Sequence, residues 1–208
     1  MSYDPEIHHR RSVRLRGYDY RQGGAYFVTL CTYERECLFG EVAEGAMREN
    51  RYGEVARFCW SAIPGHFPQV SLGPFVVMPN HVHGVIMIED DGGRGTACHA
   101  RTDVTCHART DAACYAPTDK ALQACTVEGA RFGKPASGAL GVIVGSFKSA
   151  VSKQINALRD TAGATVWQRN YYEHIIRNDE EWFAIGEYIA NNPAQWAVDR
   201  ENPQAPQR

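Results

Sequence analysis

"PFVVMPNHVHGVIMI", residues 74–88, contains two apolar runs separated by Pro79 and Asn80. Proline and asparagine favour a turn, and runs of valine, isoleucine and phenylalanine favour strands. We therefore predict an antiparallel hairpin whose second strand begins at His81. Because side chains two residues apart on a strand share a face, His81 and His83 are expected to project together.

Regular patterns flank this hairpin on both sides. Residues 25–33, "AYFVTLCTY", have the aromatic and β-branched composition of a strand. Apolar side chains at three- and four-residue steps predict helices over residues 49–63 and 141–158. Residues 165–177, "TVWQRNYYEHIIR", are again typical of a strand.

A final helix is predicted to follow the last strand. Asn178 and Glu181 have the spacing of a capping box, and Pro193 is expected to end the helix. The order is then strand, helix, strand, strand, helix, strand, helix. This order is typical of an α+β protein with a ferredoxin-like (split β-α-β) antiparallel sheet, helices on one face and an appended C-terminal helix.

The length of 208 residues predicts a single domain covering residues 1–208. Residues 91–138 interrupt it with a low-complexity repeat in which Cys98, Cys106 and Cys114 recur at every eighth position. The first two of these cysteines stand directly beside a histidine, whereas zinc sites favour spaced pairs. We interpret the repeat as a flexible surface insertion rather than a zinc site.

Composition predicts a cytoplasmic protein without membrane association. No apolar run approaches the roughly 20 residues needed to cross a bilayer, and the N-terminal region has no apolar leader. The net charge of −2 provides no general attraction to nucleic acid. A basic arm that contains Arg14 and Arg16 is equally compatible with phosphate contact and with a solvated terminus.

Four residues are candidates for a catalytic or metal-binding role: His81, His83, Tyr188 and Asn192. A histidine pair on one strand is a suitable bidentate metal ligand, but it is equally typical of two hydrogen-bonded histidines near a strand end. Tyr188 and Asn192 are four residues apart and share a helix face, although a helical tyrosine usually packs in a core. The residues alone do not decide between a functional role and a structural role for these side chains.

Three motifs in order resemble a known family: "VVMPNHVHGVIMI", "VWQRNYYEHIIRNDEEW" and "EYIANNPAQW". Together they are similar to the single-tyrosine HUH transposases, most closely the REP-associated tyrosine transposases, over about residues 17–196 apart from the insertion. The resemblance implies a metal-dependent DNA transposase or nicking endonuclease. It would cleave and rejoin single-stranded, hairpin-forming DNA through a 5′-phosphotyrosine intermediate.

The resemblance also implies roles for individual residues. Tyr188 matches the nucleophile on the C-terminal catalytic helix. His81 and His83 would bind Mg²⁺ or Mn²⁺, with Asn192 as the third protein ligand and Asn191 as a possible substitute. The implied partner is single-stranded or hairpin DNA, and the implied state is a monomer or a homodimer.

Further residues are candidates for DNA contact. Tyr171 and Tyr172 compete with Tyr188 for the nucleophile's role, but on a strand they are expected to pack or to stack on bases. The candidate DNA-binding residues are basic, aromatic or amide side chains in the basic arm, the second helix and the "WQRNYYEH" motif: Arg14, Arg16, Lys148, Trp167, Gln168, Arg169 and His174.

Two other functions remain open at this point. A domesticated hairpin-DNA-binding module would keep the fold without catalysis. A metal-dependent hydrolase of small substrates would use the histidine pair, although a barrel hydrolase needs more strands and further metal-binding histidines than this chain offers.

Overall fold

The computed structural model describes residues 23–89 and 139–205, which belong to one compact unit. Arg14, Arg16 and the insertion at residues 91–138 lie outside the described residues. Its strands are β1 (Gly24–Cys31), β2 (Gly40–Ala43), β3 (Ala46–Glu49), β4 (Val70–Met78), β5 (His81–Ile88) and β6 (Tyr172–Ile176). Its helices are α1 (Arg51–Ser61), α2 (Ile63–His66), α3 (Leu140–Arg159) and α4 (Asp179–Gln195), with short 3-10 turns at Tyr33–Arg35 and Trp196–Val198.

Four strands form one sheet in the order β4-β5-β1-β6, and every neighbouring pair is antiparallel. Helix α1 lies in the connection from β1 to β4, and α3 lies in the connection from β5 to β6. This is the ferredoxin-like arrangement, so the predicted fold class is confirmed. The described sheet is open rather than a closed barrel, which does not support the alternative of a barrel hydrolase.

The sheet has helices on both faces. One face packs with α1 and α3 in the main hydrophobic core, to which β1 contributes Val28 and Leu30 and β5 contributes Val82 and Ile86. The other face carries a smaller apolar cluster in which Phe27 and Val85 pack with Ile189 of α4. The appended helix therefore covers the face opposite the other two long helices.

The predicted hairpin is confirmed as β4 and β5, with Met78 paired to His81 across the Pro79-Asn80 turn. Gly84 is required next to the histidines, because a Cβ there would lie 2.3 Å from the Trp60 ring. Trp60 itself stacks on Phe75 with 4.7 Å between ring centroids. The α1 face of β5 is thus closely packed directly behind the histidines.

Three details differ from the sequence-based expectations. The predicted strand over residues 165–177 is shorter, because only Tyr172–Ile176 pair with β1 while Trp167 makes an isolated bridge to Thr32. The expectation that Pro193 ends the final helix is wrong, since α4 continues to Gln195. A proline in the last turn removes a single hydrogen bond, and burial of Ile189 and Asn192 against the sheet favours the helical backbone there.

The third difference is the β2-β3 hairpin, which the apolar pattern did not indicate. The predicted helix start is confirmed, because the Asn178 side chain accepts a hydrogen bond from the Glu181 backbone N–H at 2.8 Å. Within residues 23–89 and 139–205, no helix combines the length and apolar character that a membrane span requires.

Candidate active site

His81 and His83 lie at the start of β5 on the face covered by α4. Both are almost fully buried, with 0% and 3% of their surface exposed. Their ring centroids are 4.4 Å apart. The expected projection of both imidazoles to one side is confirmed.

Each nitrogen of His81 has a distinct environment. Nδ1 lies 2.8 Å from Asn80 Oδ1, whereas Nε2 is buried without a hydrogen-bond partner among the described residues. Burial lowers the pKa of His81 to about 4, although the nearby Asp199 and Glu201 carboxylates oppose that shift. His81 is therefore neutral at pH 7 and has a lone pair for a ligand bond.

His83 is held by two hydroxyl groups. Its Nδ1 lies 2.8 Å from Thr29 Oγ1, and its Nε2 lies 3.2 Å from the Tyr188 hydroxyl. Burial, with a smaller contribution from His81, lowers the pKa of His83 well below its usual value. The ring also stacks on Phe27, with 5.4 Å between centroids.

Tyr188 lies on α4 with its ring above the histidine pair. The ring meets Phe27 edge-on at 6.1 Å between centroids, and 42% of the residue remains exposed. Burial is the main cause that raises the pKa of Tyr188, while the Asn192 amide acts in the opposite direction. The ring is thus packed against Phe27, and part of the residue is exposed to solvent.

Asn192 lies one helical turn after Tyr188 and is 2% exposed. Its amide is close enough to act on the pKa of both His81 and Tyr188. Its Oδ1 nonetheless makes no hydrogen bond of ordinary geometry to any described residue. Asn191 is exposed, so of the two asparagines only Asn192 is directed towards the histidines.

Asp199 is a member of the site that the sequence patterns did not reveal. One carboxylate oxygen of Asp199 and one nitrogen each from His81 and His83 all lie within 4.8 Å of one another. Asp199 follows the Trp196–Val198 turn, and the direction of the chain after that turn is not encoded in helical spacing. The only sequence signal for Asp199 was that an acidic residue stands a few positions after the end of α4.

A second contact network fixes the segment that carries Asp199. The Glu201 side chain pairs with Arg35 at 3.2 Å and accepts a hydrogen bond from Cys31 Sγ at 3.4 Å. The Asn80 amide donates to the Glu201 backbone carbonyl at 2.6 Å. These bonds tie the residues after α4 to the end of the sheet where the histidines lie.

The donor set fits a divalent cation. His81 Nε2 and Asn192 Oδ1 are both buried polar atoms without a hydrogen bond to the described residues, and such atoms are costly unless a ligand satisfies them. Two neutral imidazoles, an amide oxygen and a carboxylate together suit Mn²⁺, and the oxygen ligands also suit Mg²⁺. The residues present therefore fit the divalent cation that the family resemblance implies.

The other two candidate tyrosines have different surroundings from Tyr188. Tyr171 packs against the main core on the α1 and α3 side, away from the histidines. Tyr172 is paired with Thr29 on the site face, is 47% exposed and lies 6.3 Å edge-on from Phe27. Tyr188 is the one of these three tyrosines whose hydroxyl is seen within hydrogen-bond distance of His83 among the described contacts.

Four of the candidate DNA-binding residues line one groove of about 280 Å³ between α3 and the segment before β6: Lys148, Trp167, Gln168 and Arg169. Trp167 is buried, and Lys148 donates to the Gln168 backbone carbonyl, so both partly serve the fold. Burial lowers the pKa of Lys148 to about 8. Arg169 is exposed at the groove.

His174 does not belong to this groove. Its Nε2 lies 3.3 Å from a Glu181 carboxylate oxygen at the start of α4. The pair connects β6 with α4, which gives this histidine a contact within the fold.

Comparisons with known proteins give a relative in sequence and likenesses in fold. No protein-family model matches the chain. An uncharacterised protein of Haemophilus influenzae is 39% identical over 199 residues, which cover 95% of this chain and 96% of the relative. A solved structure of a REP-associated tyrosine transposase bound to a REP hairpin covers 88% of this chain and 73% of its own at 16% identity, with a TM-score of 0.49. A likeness of that size carries no functional assignment.

Proposed function

We propose a DNA-processing function for this chain, which belongs to the same protein family as the Haemophilus influenzae relative. In this proposal it is a metal-dependent enzyme that cleaves and rejoins single-stranded, hairpin-forming DNA through Tyr188. The observation that carries the proposal is the 3.2 Å distance between the Tyr188 hydroxyl and His83 Nε2. The hydroxyl of the proposed nucleophile therefore lies beside one of the proposed metal ligands, 105 residues away in sequence.

His81, His83, Asn192 and Asp199 would hold the divalent cation. When bound, Mg²⁺ or Mn²⁺ would polarise the scissile phosphate and neutralise negative charge that develops on its oxygens. Burial keeps both imidazoles neutral, so they remain ligands rather than cations at pH 7. The Asp199 carboxylate would supply an anionic ligand to the cation, in addition to the two neutral imidazoles.

Tyr188 would supply the nucleophile. Its phenolic oxygen attacks phosphorus in line, and the bond from phosphorus to the 3′ oxygen breaks. The phenol's proton passes to solvent, and the departing 3′ oxygen takes up a proton from solvent. The products are a 5′-phosphotyrosine and a free 3′-OH end. Since burial raises the pKa of Tyr188, a bound divalent cation would favour loss of that proton.

Rejoining would be the reverse reaction. A 3′-OH attacks the phosphotyrosine, a new phosphodiester forms and the Tyr188 phenolate leaves. Phe27 supports the ring of Tyr188 in both directions, because it contacts that ring and the His83 ring. No external energy source is needed, because the phosphotyrosine bond conserves the energy of the broken phosphodiester.

The DNA would contact two described surfaces. The groove at Lys148 and Arg169 would contact backbone phosphates, and Gln168 would add polar contacts. Exposed Tyr172, on the same face as His83, would stack on a base near the scissile phosphate. Because Tyr188 and the histidines come from one chain, we propose that a monomer contains a complete site.

A denaturing gel tests this proposal. Purified protein is incubated with Mn²⁺ and labelled single-stranded hairpin DNA, and wild type is compared with Tyr188→Phe. We expect a protein-linked DNA band only in wild type, while Tyr172→Phe, a matched loss of one hydroxyl, retains the band. Absence of any adduct despite measurable hairpin binding would contradict catalysis and support the DNA-binding module.

A further inference from the structure

The amide of Asn80 has its orientation fixed by two backbone carbonyls. Its Nδ2 donates to Arg35 O at 3.2 Å and to Glu201 O at 2.6 Å. Carbonyl oxygens only accept hydrogen bonds, so the NH₂ end of the amide must face them. Oδ1 is then the atom that lies 2.8 Å from His81 Nδ1.

This orientation determines the tautomer of His81. The amide Oδ1 can only accept, so His81 Nδ1 must carry the hydrogen and donate it to Asn80. In the neutral ring the lone pair is then on Nε2, the nitrogen without a hydrogen-bond partner among the described residues. Asn80 is itself 0% exposed, so water does not compete for this bond.

Thr29 contacts Nδ1 of His83, as Asn80 contacts Nδ1 of His81. It is the direct cross-strand partner of His83 in the β1-β5 pair, and its Oγ1 lies 2.8 Å from His83 Nδ1. The Tyr188 hydroxyl lies at the other nitrogen, 3.2 Å from Nε2. A ring that donates from Nδ1 to Thr29 has its lone pair on Nε2, where Tyr188 donates in the metal-free site.

We propose that Thr29 and Asn80 are positioning residues that hold both histidines as Nδ1–H tautomers and so present both Nε2 lone pairs to one divalent cation. The proposal rests on the metal site of the proposed function. Hydrogen bonds to the nitrogen that does not bind metal fix ring orientation and raise ligand basicity, and their loss typically weakens metal affinity 10- to 100-fold. Both partners come from outside the His-x-His motif, one from the neighbouring strand and one from the turn.

Nitrogen NMR of the metal-free full-length protein at pH 7 tests the tautomers directly. Long-range ¹H–¹⁵N spectra distinguish a protonated Nδ1 from a protonated Nε2 in each ring. We expect the Nδ1–H form for His81 and for His83. An Nε2–H form in either ring would overturn the assignment for that ring's partner.

Binding of Mn²⁺ alone provides the second readout. Thr29→Val removes the hydroxyl while keeping a β-branched side chain, and Thr29→Ser keeps the hydroxyl. We expect Thr29→Val to weaken Mn²⁺ binding by about 10- to 100-fold in calorimetric titration, and Thr29→Ser to remain within about threefold of wild type. Thermal melting confirms that both variants are folded.

The outcomes separate this inference from the proposed function. Mn²⁺ affinity of Thr29→Val equal to wild type, with the same His83 tautomer, would overturn the role of Thr29 even if the DNA adduct forms. Conversely, the expected tautomers and affinities without any DNA adduct would support the positioning role and contradict the nuclease.

Discussion

The two faces of β5 differ in what they contribute. Val82 and Ile86 point into the main core beneath α1 and α3 and are fully buried among apolar side chains. His81 and His83, displaced by a single residue, point to the α4 face and are also almost fully buried, but their ring nitrogens lie against polar side chains. One face of β5 therefore contributes to the hydrophobic core, and the other face carries the candidate metal ligands.

The comparison shows what holds a polar site in place. The core face needs only shape and apolar surface, whereas the site face needs a partner for each buried polar atom. Asn80 and Thr29 provide such partners, but His81 Nε2 and Asn192 Oδ1 are left without a hydrogen bond to the described residues. Burying these two atoms without such a bond lowers the stability of the fold, and it leaves both atoms available to bind a ligand.

The largest expected effect is on DNA cleavage, which should depend on the histidine face of β5 and not on the core face. Substituting both His81 and His83 with alanine should abolish Mn²⁺-dependent cleavage and Mn²⁺ binding, because it removes both imidazole ligands. Val82→Ala, between them on the opposite face, is the matched control. Folded Val82→Ala should retain cleavage, as measured by the adduct per mole of folded protein. Undiminished cleavage by the double variant would contradict the metal site.

The next effect concerns the stability of the core face. Ile86→Ala should lower the free energy of unfolding by about 2–5 kcal/mol, because it leaves a cavity beneath α1 and α3. Met87→Ala, on the α4 face and partly buried, should cost less. Urea denaturation of both variants measures the difference. An equal loss would show that the two faces are packed alike.

The site face should make stability depend on pH. The pKa of His81 is about 4 in the folded protein and about 6.5 in the unfolded chain, so the unfolded state binds more protons between these values. In metal-free protein His81 alone should therefore reduce stability by roughly 2 kcal/mol when the pH falls from 7 to 5. His83 acts in the same direction.

Urea denaturation at pH 7 and pH 5 checks this dependence, with His81→Gln as the control that lacks the titrating ring. The variant should show a smaller decrease between the two pH values. An identical pH dependence in both proteins would mean that His81 is not the buried neutral group.

The smallest expected effect concerns Tyr188 and the cation. The Tyr188 hydroxyl and a metal ion use the same lone pair of His83 Nε2, so the hydrogen bond must break when metal binds. Tyr188→Phe should thus raise Mn²⁺ affinity by about two- to tenfold, which corresponds to the net contribution of one hydrogen bond. Weaker Mn²⁺ binding by this variant would instead make the phenol a metal ligand.

Local patterns predicted the parts of the site that depend on a single element. The period of two placed His81 and His83 on one face, and the spacing at Asn178 located the start of α4. The family resemblance, rather than periodicity, singled out Tyr188 among ten tyrosines. The two inferences from periodicity and capping need only the geometry of one strand or one helix.

Features that join distant segments were not predictable in this way. Asp199 reaches the histidines because the chain turns after Trp196–Val198, and Glu201 fixes that turn through Arg35 and Asn80. The role of Thr29 depends on the register between β1 and β5. Helical or strand periodicity does not encode such contacts between elements.

Mapping the covalent DNA adduct tests the central claim most directly. The protein is trapped with hairpin DNA and Mn²⁺, digested with nuclease and protease, and sequenced by tandem mass spectrometry. We predict a nucleotide 5′-phosphate on Tyr188 in the peptide from α4. A nucleotide on Tyr172 or on any other residue, with Tyr188 unmodified, would contradict the account.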